Sequence, residues 1–556
     1  MAKRITVPIS LSGIENNASV FVVKALEEMK ECGGELVFET GEYHFYTEGT
    51  HIGEFVTSNS GSGIKSVAFP FVDARNITVD GGGSVFVFHE GIFPFIMYRA
   101  ENITVKNFTM DTFLLPYCEF DVVTKDENGF AIRIDKTVTP YKIEDGHVVF
   151  LREDKILTTA ERKLSLHAVA LHKVMYLFAG DSTASQVNLP APIMLTDAED
   201  CGDLIYFRYR ADSPHKCYYE VGEAMTINLE EARERHCFFA GYSDGVTVEN
   251  VTIRRGAGMG VLGMVTDNIT VKGLKTDRDY HGNLFSLTAD AMHFINCSGK
   301  LRILDCDINA FMDDVCNIHG TYNIIENVSD NGVTVKYGHE AHARQRQYKK
   351  GDILHIINNE TLDIVSTAKF VSYEVTSEDG MEMFLELTDV TDKNSIKKGF
   401  FVENPGRMPE VIVKGNRLGM YPHFRISGAK KMVCEDNYLY GFQRAFYVCD
   451  LAVYWYESGR VKDLTIRNNV FDNTSKPDYG EFISVGVSGF NFADAPTIHD
   501  GITIENNKFY GVKSRILQAG GVKNLRFTGN TVIKDEAEAE VTDEMLVVSE
   551  KINLIR

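Results

Sequence analysis

The chain has 556 residues, enough for several domains or one long repetitive one. Its 44% apolar and 24% charged residues, with only 13 Pro, exclude a disordered chain. Its 57 basic and 78 acidic residues give a formal charge of −21, a field that repels phosphate backbones, anionic lipid and polyuronates, so neither nucleic acid nor membrane is an expected partner. The N-terminus MAKRITVPISLSGIENN has no apolar core of signal-peptide length, and the ten Cys show no CxxC or zinc-like spacing. The expectation is a cytoplasmic chain with reduced, buried thiols, no metal and no cofactor.

From Asn17, NASVFVVKALEEMKECGGELVFETGEYHFY reads as an Asn/Ser-capped helix, a Gly-Gly stop and a strand. One pattern then recurs, an apolar/polar alternation ending in Asn or Gly: NITVDG at Asn76, NITVKNF at Asn102, GVTVENV at Gly245, NITVKGL at Asn268, KLRILDC at Lys300, EVIVKGN at Glu410, KMVCEDN at Lys431, DLTIRNNVF at Asp463, GITIENNKF at Gly501 and NLRFTGN at Asn524. Period-2 alternation makes each copy a strand, and a spacing of roughly 20–40 residues marks a solenoid. The fold class is all-β: a right-handed parallel β-helix, Ile and Val inward and Asn stacked at the turns, with the short helix capping its open end.

The repeat lapses from Met110 to about Gly222 and from about Tyr322 to Gly406, where DENG, EDG, SDNG and SEDG turns mark antiparallel hairpins. Two small inserted antiparallel β-barrel-like domains are expected there. The boundaries are 1–110 for the cap and first coils, 111–225 for the first insertion, 226–321 for central coils, 322–405 for the second insertion and 406–556 for the last coils.

The densest polar segment is SLTADAMHFINCSGKLRILDCDINAFMDDVCNIHGTY, just before the second insertion. Asp290 and Asp313 lie one short coil spacing apart and are expected at one angular position on adjacent coils, about 4.8 Å apart. Asp314 joins them only if the chain bends there. Three crowded carboxylates repel, so a neutral acid and an ionised base can coexist at neutral pH; exposed turn aspartates or a calcium site are the other readings. His293, Asn317 and His319 share these coils and are candidate sugar-binding residues. WYESG holds the one Trp, Trp455, beside Glu457, an aromatic platform next to a carboxylate, and Arg425 in HFRISG is expected in the same groove. GAGMGVLG has a formal GxGxxG at Gly258, Gly260 and Gly263 but is flanked by strands, so it reads as a smooth floor for a ligand and not a dinucleotide site. HEAHAR at 339–344 lacks zinc-protease spacing and reads as polar surface at the insertion's edge, with lining of the cleft as the lesser reading.

ADAMHF, DDVCNIHGTY, KKGDILHI, GNRLGMYPHFRISG and WYESGRVKDLTIRNN, in that order, resemble glycoside hydrolase family 110, the α-galactosidases that include blood-group-B-cleaving α-1,3-galactosidases. The resemblance implies an inverting exo-enzyme on a pectate-lyase-like β-helix, with Asp313 as general acid and a water-activating role shared by Asp290 and Asp314. It further implies a neutral glycan or oligosaccharide with a terminal α-galactose, α-1,3-linked by expectation, as substrate. Alternatives are an α-N-acetylgalactosaminidase-like glycosidase, a polysaccharide lyase or polygalacturonase, or a non-catalytic glycan-binding β-helix. Polygalacturonases would show NTDGID, GHG and RIK motifs, which are missing here, and the acidic charge disfavours uronates. An elongated solenoid with exposed edges is also a candidate for self-association.

Overall fold

The computed structural model describes every residue except 1, 90, 114–116, 138, 145, 151–161, 164–171, 177–183, 189–194, 214–215, 218–219, 223, 229–234, 278–284, 420–422 and 476–480. The repeated strands stack as consecutive coils of a parallel β-helix. Their first apolar residues pair in one line, Ile77, Ile103, Val246, Ile269, Leu301, Val411, Met432, Leu464, Ile502 and Leu525. All ten are buried in one continuous core, so each coil covers the apolar edge of the one before it. The pairings of Asn102's coil with Gly245's, and of Lys300's with Glu410's, show that the intervening segments leave the solenoid and return without interrupting it.

A buried asparagine ladder runs along one turn. Asn416 Nδ2 donates to Asn437 Oδ1 (2.8 Å), Asn437 to Asn469 (2.9 Å), Asn469 to Asn507 (3.0 Å) and Asn507 to Asn530 (3.0 Å). The second amide proton goes to a backbone carbonyl of a preceding coil, as from Asn469 to Cys434 and from Asn507 to Ile466.

Among the described residues, the first departure forms a seven-stranded antiparallel sheet beginning at Tyr117–Lys125 and ending at Ala224–Asn228, with a three-stranded sheet beside it. The second closes into a six-stranded antiparallel barrel between Asn323–Val328 and Phe401–Glu403. Helix α1 (Ser19–Met29) buries Val22, Ala25, Leu26 and Met29 against the first coils. Its N-cap is Ala18 in place of the expected Asn or Ser, and the Asn17 side chain accepts from the Ser19 N–H at 2.9 Å.

Gly258, Gly260 and Gly263 are not a ligand floor. A Cβ at each would lie 2.5–2.7 Å from Arg235 O, Ala291 O or Ile269 Cδ1, so these glycines let coils and strand ends pack closely.

Candidate active site

The site lies on the outer face of the second long sheet, where strand alternation sorts each coil's residues. In Cys316–Thr321, Cys316 and Ile318 enter the core while Asn317 and His319 point outward; in Met292–Ile295, Met292 and Phe294 enter and His293 points out. His293 pairs with Asn317, Asn317 with Arg425 and Arg425 with Tyr447, a polar row across four coils. Arg425 lies 5.1 Å over the Tyr447 ring.

The carboxylates occupy the turns that feed these strands. The pairings Leu287–Phe311 and His293–Asn317 fix an offset of 24 residues, so Asp290 aligns with Asp314 and not with Asp313 as the spacing of the repeats implied. This coil is 24 residues long, one more than the 23 that separate Asp290 from Asp313, so Asp313 falls one residue before the register line, in the bend at 312–313, and both neighbouring aspartates line one cleft. Asp290 and Asp314 are buried, at 3% and 6% exposure, and Asp313 is half-buried.

Glu457 arrives by a different route. Glu457–Ser458 pairs antiparallel with Gly320–Thr321, and the return is possible because Gly459 passes Gly428 so closely that a Cβ would fall 2.4 Å from the Gly428 Cα. Trp455, half-buried, sits between Tyr454 and Tyr456, both with left-handed backbones (φ 61° and 52°), and packs on His339 with ring centres 4.3 Å apart. Such backbones in bulky residues are held by their surroundings and gather at functional loops.

The cleft has a volume of about 660 Å³, and Asp290, Asp313, Asp314, His293, Asn317, Arg425, Trp455 and Glu457 all line it. His319 does not; it is buried behind His293. Residues without a repeat motif complete the wall: Asn59 and Gly61 from the loop after the strand His51–Phe55, His339–Ala341 from the barrel, and His423. The 339–344 segment is therefore cleft wall as well as insertion edge. It is tied across by Ser58 Oγ donating to Ala341 O at 3.1 Å.

Arg425 is held charged: burial alone would lower its pKa, but Asp314 (Nε–Oδ2 3.8 Å) and Glu457 (Nη1–Oε2 3.7 Å) raise it. Asn317 Nδ2 donates to Glu457 Oε1 at 3.2 Å. Asn317 Oδ1, Glu457 Oε2 and Arg425 Nε are buried without a hydrogen-bond partner. Such groups destabilise the free protein and are the atoms a polyhydroxylated ligand can satisfy.

Behind the cleft runs a chain whose protons can be counted. His319 Nδ1 lies 2.7 Å from Gly320 O, which only accepts, so Nδ1 carries the proton. Burial lowers His319 to about 4, so at neutral pH its Nε2 is bare and accepts from His293 Nε2 at 2.9 Å. The other ring nitrogen of His293, Nδ1, lies 2.8 Å from Asp290 Oδ2, so the chain links His319 to the cleft carboxylate.

A parallel β-helix that gathers three aspartates, an arginine, a glutamate and a half-buried tryptophan in one open cleft has the architecture of a carbohydrate-active β-helix protein. No protein-family model matches the chain. It is 26% identical over 544 residues to α-1,3-galactosidase A of Shewanella woodyi (95% of this chain, 86% of that protein). It is 26% identical over 533 residues to α-1,3-galactosidase B of Bacteroides thetaiotaomicron (93% and 84%) and 28% identical over 557 residues to α-1,3-galactosidase B of Bacteroides fragilis (94% and 90%). Among solved structures, the polygalacturonase of Erwinia carotovora matches over 100% of this chain and 97% of that one, at 9% identity and a TM-score of 0.41. Over nearly its whole length the chain is similar to proteins named α-1,3-galactosidases.

Proposed function

We propose that the chain is an exo-acting glycoside hydrolase that removes a terminal α-linked galactose, α-1,3-linked in its preferred substrate, with inversion at the anomeric carbon. The observation that carries this reading is the meeting of Asp290, Asp313 and Asp314 in one cleft beside Trp455, in a chain related from end to end to α-1,3-galactosidases.

Asp313, the most exposed of the three, donates its proton to the glycosidic oxygen as the C1–O bond breaks. Asp314, beside the Arg425 charge, is favoured as the carboxylate; it takes a proton from the water whose oxygen attacks C1 from the opposite face. Asp290, in register with Asp314 and held by His293 at 2.8 Å, orients that water. Two carboxyl groups around one water, opposite a third, suit inversion, since retention needs only an acid and a nucleophile. Trp455 stacks on the apolar face of the sugar, while Asn317, Glu457 and Arg425 bind its hydroxyls. His319 holds His293 and does not touch substrate.

A panel of nitrophenyl glycosides tests the reading. Release from α-galactoside, and little from β-galactoside, α-N-acetylgalactosaminide or α-glucoside, is expected; release from none, or a preference for the acetamido sugar, overturns it.

A further inference from the structure

A second cleft, of about 590 Å³, lies between the β-helix and the barrel, on the other side of the Ser58–Ala341 contact from the carboxylates. The two clefts share their walls. Val56 lines the second and Asn59 the first; on the barrel side, Ala341 lines the first and Arg344 the second.

The second cleft has the makings of a binding surface. Tyr98 and Tyr242 meet edge to face, with ring centres 5.4 Å apart, and Tyr373 lies opposite with the Arg346 guanidinium 6.0 Å from its ring centre. Two of the three arginines are committed: Arg99 is bidentate to Asp73 at 2.6 and 2.8 Å, and Arg344 donates to Asp379 O at 3.2 Å. Arg346 has no ion pair among the described residues. Gln345, buried at 1% exposure, accepts from Asn296 at 3.1 Å through Oε1, while its Nε2 has no hydrogen-bond partner. Tyrosine faces with donors around them suit a sugar ring, which offers one apolar face and a rim of hydroxyls. The second cleft is lined by no His or Asp; its two carboxylates are Glu54 and Glu378, which add acceptors for sugar hydroxyls to the donors of Arg346 and Gln345.

We infer that this cleft holds a sugar unit further along the same glycan whose terminal residue occupies the carboxylate cleft, so that the enzyme selects for extended chains. An exo-acting cleft encloses the end of its substrate, and the remainder must leave over the rim. On this side the rim is the Ser58–Ala341 contact, beyond which lie Tyr373 and Arg346. The inference rests on the glycosidase reading of the first cleft.

The test compares an aryl α-galactoside with an α-galactosyl-terminated oligosaccharide of four or more sugars, on the unaltered chain and on Arg346→Ala, Tyr373→Ala and the double variant. Arg346 is exposed, so its truncation leaves the fold intact even if Tyr373→Ala does not. For the oligosaccharide, KM should rise about tenfold in the double variant with kcat unchanged, and neither constant should move for the aryl substrate. An unchanged oligosaccharide KM, or equal rises for both substrates, overturns the inference. If the unaltered chain releases galactose from neither substrate, the glycosidase reading has failed. Saturation-transfer NMR with the same oligosaccharide then decides: transfer that is lost in the double variant supports the cleft, and transfer that persists, or is absent from the start, refutes it.

Discussion

The asparagine ladder and the carboxylate cleft use one device to opposite ends. Both stack polar side chains from successive coils in register, inside or against a β-helix core. In the ladder, Asn437, Asn469 and Asn507 each give one amide proton to the next asparagine and one to a backbone carbonyl. In the cleft, Asn317, Glu457 and Arg425 contact one another yet keep buried atoms without partners. A satisfied polar row holds coils together; an incompletely satisfied one stores free energy that a ligand recovers.

The sharpest break between the two is expected from isosteric changes in the cleft. Asp313→Asn or Asp314→Asn should lower kcat by about 10²–10⁴ while circular dichroism and Tm stay as in the unaltered chain. Near-normal turnover in either variant removes that residue from the acid/base set. Asn469→Ala should do the reverse: it removes the acceptor of the buried Asn437 backbone N–H and of its Nδ2 and should cost about 1–3 kcal/mol of stability by chemical denaturation, with kcat of the folded protein unchanged. If its stability does not fall, the ladder is not a structural device.

A middle case sharpens the contrast. His319→Phe removes the acceptor that fixes His293, so it should shift the pH–rate profile and lower kcat about tenfold, whereas Asn469→Ala leaves the profile in place. An unshifted profile would make the Asp290–His293–His319 chain mere packing.

The smallest expected effect is on stability against pH. Burial lowers His236 to about 3 and His319 and His499 to about 4, so below about 6.5 the unfolded chain binds protons that the folded one refuses, and stability is lost as pH falls toward 4. Asp450 works the other way: burial raises it to about 8, and its contribution is lost as pH rises from about 4 to about 8. Three histidines outweigh one aspartate, so Tm should be lower at pH 5 than at pH 7; a higher Tm at pH 5 contradicts that balance.

The solenoid was legible because every coil must repeat the same inward Ile or Val, which leaves period-2 strands at short intervals and lapses wherever chain departs. The aspartates stood out as a cluster, but their alignment did not: coil lengths vary along the chain, and a coil of 24 residues in place of 23 moves the match from Asp313 to Asp314, a one-residue difference that only the strand register reveals. Asn59 and Gly61 were beyond reach, since they come from a loop with no repeat to index them, while His339 and Glu340 showed only as a polar segment at the insertion's edge. Glu457 was placed near Trp455 by adjacency, while the antiparallel return that aims it at Asn317 left only Gly459 as a trace.

The central claim is that three carboxyl groups in one cleft divide into a proton donor and a pair around the attacking water. Proton NMR of the first turnovers on an α-galactoside, recorded before mutarotation, tests it most directly. With inversion the β-galactose anomeric signal appears first and the α signal grows in later; α-galactose appearing first would make one of the aspartates a nucleophile and contradict the assignment.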